Sequence, residues 1–303
     1  MAEWFEKDEK WFPSPYGIDD VLGTVNEIRP SNIVRAASLV KSGKAIYLSH
    51  EMFNGMPGRY ESHGPFYYLL SQRVYDIRPP FREPSTNKFG GALCRVEMVD
   101  HLGTHLDSLN HISYDNKFYN GNDAYELSTT YGTPKLGIDE IPPLVTRGIM
   151  VDATEGRKMM EKGEPISLSV VERFLERKGI EVEPGDAVFF YTGIGRIWKN
   201  VSEYNTYYER SPGIGMELAR WIADKKVSVT GSDTPSTEVS PPELKGTRLP
   251  VHQYLITLNG IRLIDNINLN ELVDRDVSQF MFVTAPLRFK GATASPVSPV
   301  AII

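Results

Sequence analysis

A single cysteine, Cys94, stands in 303 residues, so the chain has no internal disulfide and fits a reducing, cytoplasmic setting. No apolar run approaches the roughly 18 residues that a membrane-spanning helix needs. The chain also has no basic excess. Its 33 Lys and Arg against 39 Asp and Glu give a net charge of -6, which argues against a nucleic-acid partner. Met1 to Asp8 lack the basic start and apolar core of a signal peptide. No G-x-S-x-G element is present, which argues against a serine hydrolase. What remains, 41% hydrophobic and 24% charged, is ordinary globular composition.

Histidine is scarce too, yet it is concentrated. Three of the six fall in the twelve residues from Asp100 to His111, where even scatter would put about 0.2. His101, His105, Asp107 and His111 are spaced 4, 2 and 4 apart. An ideal helix would carry i+6 off the face shared by i and i+4, and Gly103 opposes a helix. The expectation is therefore a strand end that turns through Gly103 and converges its side chains. Imidazole nitrogens and a carboxylate suit zinc or manganese. Three such ligands leave coordination positions open for water and substrate, as a catalytic site requires. His111 is then left over as a proton carrier.

The rest reads as mixed strand and helix without strict βαβ repetition, which predicts one mixed α/β domain. Residues 1–45 read as an N-terminal arm and helix, with Trp4, Phe5, Trp11 and Phe12 available to a neighbour, and 46–303 as the main domain. Ser31 is the expected N-cap of a helix running to about Lys41. Residues 50–90 read as a long loop region, followed by a strand near 92–99 in which Cys94 is buried. Further strands are expected at 148–151, 187–192, 227–230, 261–264 and 280–285, with helices at 169–178, 213–224 and 250–258.

The His/Asp segment resembles the signature of the cyclase-like metal-dependent hydrolases, a family that includes bacterial kynurenine formamidases and isatin hydrolases. Tyr16 to Asn26, Leu48-Ser49-His50, Met56-Pro57, Gly185-Asp186, Thr192-Gly193, Pro286-Leu287-Arg288 and Ser295-Pro296-Val297 resemble further family elements in family order. The resemblance implies a swivelling β/β/α-type domain. It implies His101, His105 and Asp107 as metal ligands, His111 as the catalytic histidine, and one or two zinc or manganese ions. His252 corresponds to a second-metal ligand. Asp265, in Asp265-Asn266-Ile267, stands where the family has a glutamate. A homodimer or homotetramer is also implied. His50, Phe53, Phe66 and Asp233 are taken as candidates for the substrate pocket, and His63 as a loop residue.

The chemistry that follows is hydrolysis of an amide, cyclic amide, imide or lactone in a small molecule, with no nucleic-acid or membrane partner. The alternatives are a metal-dependent lyase or dehydratase on the same scaffold, and a non-catalytic metal-binding protein.

Overall fold

The computed structural model describes residues 10–74 and 86–303. Its strands, in chain order, are β1 Ala45–Tyr47, β2 Tyr67–Gln72, β3 Leu93–Glu97, β4 His105–Asp107, β5 Leu144–Asp152, β6 Pro165–Ile166, β7 Ala187–Tyr191, β8 Gly213–Ile214, β9 Val229–Ser232, β10 Arg262–Asp265, β11 Gln279–Thr284, β12 Ala294–Pro296 and β13 Val300–Ile302. Nine of them form one sheet in the order β1-β13-β11-β5-β7-β9-β10-β4-β12. The middle of the sheet, β5-β7-β9-β10, is parallel, and the flanking pairs are antiparallel. This is a single mixed α/β domain.

The parallel strands are buried on both faces, as Ala187-Val188-Phe189-Phe190-Tyr191 illustrates with every residue inside. Val188 and Phe190 pack toward the helices Leu168–Lys178 and Met216–Asp224, which place Val171, Phe174, Leu218 and Ile222 against the sheet. Phe189 and Tyr191 face the opposite cluster, with Phe280, Phe282 and Ile264. Gly179 ends the first of these helices in the left-handed conformation, as its position after Lys178 predicted.

Several expectations are corrected. The first helix is Pro30–Ser38. Proline takes its first position, and Asn32 Oδ1 accepts the Arg29 N–H, so Ser31 is not the N-cap. That helix packs on the sheet through Asn32 to the Pro184 carbonyl and Arg35 to Asp186. Residues 50–90 are not all loop, because they contain a short helix Tyr60–His63 and β2. Strand β3 pairs only with β2, in a ribbon outside the main sheet, and Cys94 is exposed on it beside the Tyr68 hydroxyl. The strand expected at 227–230 lies two residues later, at Val229–Ser232.

Of the N-terminal aromatics, Trp4 and Phe5 lie outside the described residues. Trp11 packs edge-on against Phe12 and Tyr114. The following residues are tied to their own chain: Tyr119 donates to Asp20, and Asn120 holds the carbonyls of Gly17 and Ile18.

Candidate metal centre

Strand β4 carries the centre. Successive side chains of a strand point to opposite faces, so His105 and Asp107 share one face while Leu106 enters the core on the other. Strand β10 pairs antiparallel with β4 and places Asp265 directly opposite His105. Gly103, at φ +68°, makes the turn that swings His101 back to the same point, and the turn after Asp107 returns His111, whose N–H donates to the Ser108 carbonyl. His252 arrives from the short helix Pro250–His252. That helix continues into a wider π turn at Gln253–Leu258, a departure from α geometry that is frequent at functional sites.

The donor atoms fall into two groups that share Asp107. One atom each from His101, Asp107 and His111 lie within 4.8 Å of one another, and so do atoms from Asp107, His252 and Asp265. His105 Nε2 stands between the two carboxylates, 3.6 Å from Asp107 Oδ1 and 3.7 Å from Asp265 Oδ2. The sequence had set His111 apart from the ligands, whereas the structure brings one of its ring nitrogens within 4.8 Å of donor atoms of His101 and Asp107.

Three of the four imidazoles are turned by a partner behind them. His105 Nδ1 lies 2.9 Å from the Gly103 carbonyl, which can only accept, so the proton is on Nδ1 and Nε2 is a bare donor. Thr293 Oγ1 gives its hydrogen to Asp100 Oδ2 at 2.9 Å and so accepts from His101 Nε2 at 3.0 Å. His101 Nδ1 then faces Asp107 Oδ1 at 3.0 Å. Glu238 Oε2 holds His252 Nδ1 at 2.5 Å and leaves Nε2 toward Asp107 Oδ2 at 3.8 Å. Carbonyl, hydroxyl and carboxylate partners of this kind orient metal-ligating histidines and fix their tautomers. Thr293 and Glu238 were missed in the sequence because nothing in their local pattern distinguishes them, and Asp100, though inside the His/Asp segment, was given no role.

The electrostatics call for a cation. Asp107 is 1% exposed, and neither of its oxygens accepts a properly aligned hydrogen bond. Asp265 Oδ1 is orphaned in the same way. Leaving such atoms buried and unpaired is costly. Burial works against ionisation of Asp107, but the imidazoles around it, His111 and His101 first, hold its carboxyl well below the usual range. Burial and then the Asp107 charge push Asp265 up to about 7. Burial lowers His105 to about 4 and His111 to about 3. Burial acts the same way on His252, but Glu238 carries it up to about 9, and Asp107 likewise raises His101. Protons thus substitute for the missing positive charge, and a divalent ion would replace them. The donor set, buried carboxylate oxygens facing imidazole nitrogens, fits a divalent metal ion.

Above the centre lies a cavity of about 500 Å³, lined by His101, His105, His111, His252 and Asp265 at its floor and by Arg59, His63, Tyr208 and Arg248 around them. His63 therefore borders the pocket, contrary to its reading as a plain loop residue. The four residues assigned to the substrate pocket do not line it. His50 is stacked on Trp198 with ring centroids 4.5 Å apart, and burial lowers its imidazole to about 4. Phe66 is buried, and Phe53 partly so, in a cluster with Met56, Leu102 and Trp198 that backs the pocket wall. Asp233 is fully buried and accepts hydrogen bonds from Thr192 N, Thr192 Oγ1, Gly193 N and Gly195 N, so it anchors the 192–195 turn.

The model of the Putative cyclase family matches residues 46–239, more than half of the chain. Among solved structures, a novel cyclase is 25% identical, with a TM-score of 0.86 over 95% of this chain and 98% of that one. Isatin hydrolase A from Ralstonia solanacearum is 17% identical, with a TM-score of 0.63 over 85% of this chain and 91% of its own. A potential metal-dependent hydrolase with cyclase activity is 19% identical, with a TM-score of 0.54 over 85% of this chain and 98% of its own. The last two likenesses show the fold. No curated protein matches the chain.

Proposed function

Because the chain belongs to the Cyclase family, we propose that it is a metal-dependent hydrolase of a small acyl compound, an amide, cyclic amide or imide, or lactone. The observation that carries this reading is Asp107, a buried carboxylate with two unpartnered oxygens shared between two groups of imidazole and carboxylate donors. Isatin hydrolase, which has this fold, is named for a cyclic amide, and that class of substrate is accordingly the first to test. His101, His105, Asp107, His252 and Asp265 would hold one or two zinc or manganese ions. A bound divalent ion supplies Lewis-acid polarisation of the acyl carbonyl and lowers the pKa of water so that it attacks at neutral pH.

The protein's own part is positioning and proton transfer. His111 is neutral at pH 7, since burial depresses its imidazole, and its ring sits 3.9 Å from that of His101 at the pocket floor. A neutral imidazole there accepts a proton as water attacks and returns it to the departing nitrogen or oxygen. The largely buried floor keeps competing water from these charges. Metal analysis with turnover of N-formyl-arylamines, cyclic imides and lactones in oxygen-18 water tests the reading. Label in a new carboxylate supports it, and label-free product from the metal-loaded enzyme overturns it.

We also propose a homo-oligomer. Its support is the β2–β3 ribbon, which exposes Tyr67, Leu69, Leu93 and Val96, although a two-stranded ribbon alone is marginal in water. Light scattering on wild type and on Leu69→Lys with Leu93→Lys tests it. A monomeric wild type would end it. Cys94, an exposed thiol, fits a reducing cytosol, and among the described residues no helix is long and apolar enough to cross a membrane.

A further inference from the structure

The cavity above the metal centre is asymmetric in charge. Its floor holds Asp265, the one carboxylate among the described lining residues, and that group is committed to the centre. Its rim holds two guanidinium groups, Arg59 and Arg248, both exposed and neither paired with a carboxylate among the described residues. This arrangement stands in a chain of net charge -6, in which Arg35, Arg147, Arg157, Arg173, Arg196 and Arg275 all have carboxylate partners.

Arg59 is held by a backbone carbonyl of the pocket wall, and Arg248 sits at the start of the segment that carries His252. Arg59 donates to the Tyr208 carbonyl, and its guanidinium lies 5.7 Å from the centroid of the Tyr208 ring. The cation is therefore preorganised against an aromatic wall. The Arg248 guanidinium makes no hydrogen bond or ion pair among the described residues. It precedes Leu249, a non-glycine residue in the left-handed region at φ +51° and ψ +50°, after which Pro250 opens the helix that carries His252. Strain of this kind persists where the surroundings over-determine it. Here it joins the Arg248 rim to the His252 floor within five residues.

On the reading of the centre as a metal-dependent hydrolase, we infer that the substrate carries a carboxylate remote from the scissile acyl bond, and that Arg59 and Arg248 receive it at the rim while the bond lies at the floor. A guanidinium matches a carboxylate with two parallel hydrogen bonds, stronger than neutral ones. Positive potential at the mouth of the cleft also concentrates anions that the net negative surface would otherwise repel. A cavity of about 500 Å³ accommodates a monocyclic aromatic acid bearing one acyl group.

The test compares 4-formamidobenzoate with 4-formamidobenzamide, which share shape and scissile bond and differ in charge. The metal-loaded enzyme should favour the carboxylate by at least about tenfold in kcat/KM, mostly through KM. That ratio should fall toward one in Arg59→Gln with Arg248→Gln, and rising salt should shrink it in wild type. A wild-type ratio near one, or a ratio that survives the double substitution, overturns the inference. A separate calorimetric titration with benzoate keeps it distinct from the hydrolase reading. Weaker binding by the double variant supports the arginine role even if neither formamide is cleaved, and equal binding refutes it.

Discussion

Two buried aspartates teach opposite lessons. Asp186, fully buried at the start of β7, accepts from Arg147 Nε and Nη2, from Arg35 Nη2 and from the Glu183 N–H. The protein itself supplies all the positive charge that this carboxylate needs, and the result ties the first helix and β5 to β7. Asp107, equally buried on β4, has no guanidinium beside it and no aligned hydrogen bond, but a ring of imidazoles whose bare nitrogens face it. A fold that can satisfy one buried carboxylate so fully leaves the other open because its partner comes from outside. The difference separates a structural ion pair from a metal site on physical grounds alone.

The sharpest way to break the comparison is to neutralise each in turn. Asp107→Asn should abolish metal binding and turnover together while the chain still folds, read by metal analysis and circular dichroism. His105→Ala should do the same. Asp186→Asn should retain the metal but lose about 3–5 kcal/mol of stability, since it strands buried guanidinium charge. Denaturant unfolding reports this, and an Asp186→Asn protein of normal stability that had lost its metal would erase the distinction.

Next in size is His111→Ala. As proton carrier it should cost about 10²–10⁴-fold in kcat with metal retained. A variant that loses metal would make His111 a ligand, consistent with its nearness to His101 and Asp107.

Smaller effects should come from the groups behind the ligands. Glu238→Gln and Thr293→Val should each weaken metal affinity about 10–100-fold, measured by competition with a chelator. Thr293→Ser, which keeps the hydroxyl, should restore it. His252→Ala should lower a two-metal stoichiometry by about one and leave the first ion bound, whereas a wild type that saturates at one ion would remove the second site.

The smallest concerns pH. In metal-free protein Asp265 is raised from 3.8 to about 7, so the folded state binds the proton more tightly than the unfolded one. This group's contribution is full below pH 3.8 and is lost as pH rises to about 7. Asp265→Asn should flatten that fall in the melting temperature of chelator-treated protein, and an unchanged slope would mean that the carboxylate is not strained.

How much of this was legible follows from the distances in sequence. The strands β5, β7, β10 and β11 and the helix Leu168–Lys178 announced themselves through apolar runs, a glycine stop and local turns, because those signals act within a few residues. Strand β3 was legible as the strand expected near 92–99, but β2 and its pairing with β3 were hidden, since the two strands lie twenty residues apart on either side of a Pro-rich stretch and face no core that would impose alternation. Asp233 looked like a site residue because strand ends often face a site. Only its four hydrogen-bond donors, from residues 192–195, reveal an anchor.

By itself, the sequence determined the chemistry at the heart of the site. His101, His105, Asp107 and His111 lie within eleven residues, so strand alternation and one glycine turn suffice to converge them, whatever the rest of the chain does. The tertiary structure alone decided what surrounds them. Asp265 comes to His105 through strand pairing, Thr293 reaches His101 from a distant segment, Glu238 turns back onto His252 from fourteen residues before it, and Arg59 meets Arg248 across a cavity. Apart from Glu238 and His252, these pairs are 100 to 200 residues apart along the chain. Their meeting depends on sheet order, and sheet order is fixed by the packing of the whole core rather than by any local pattern.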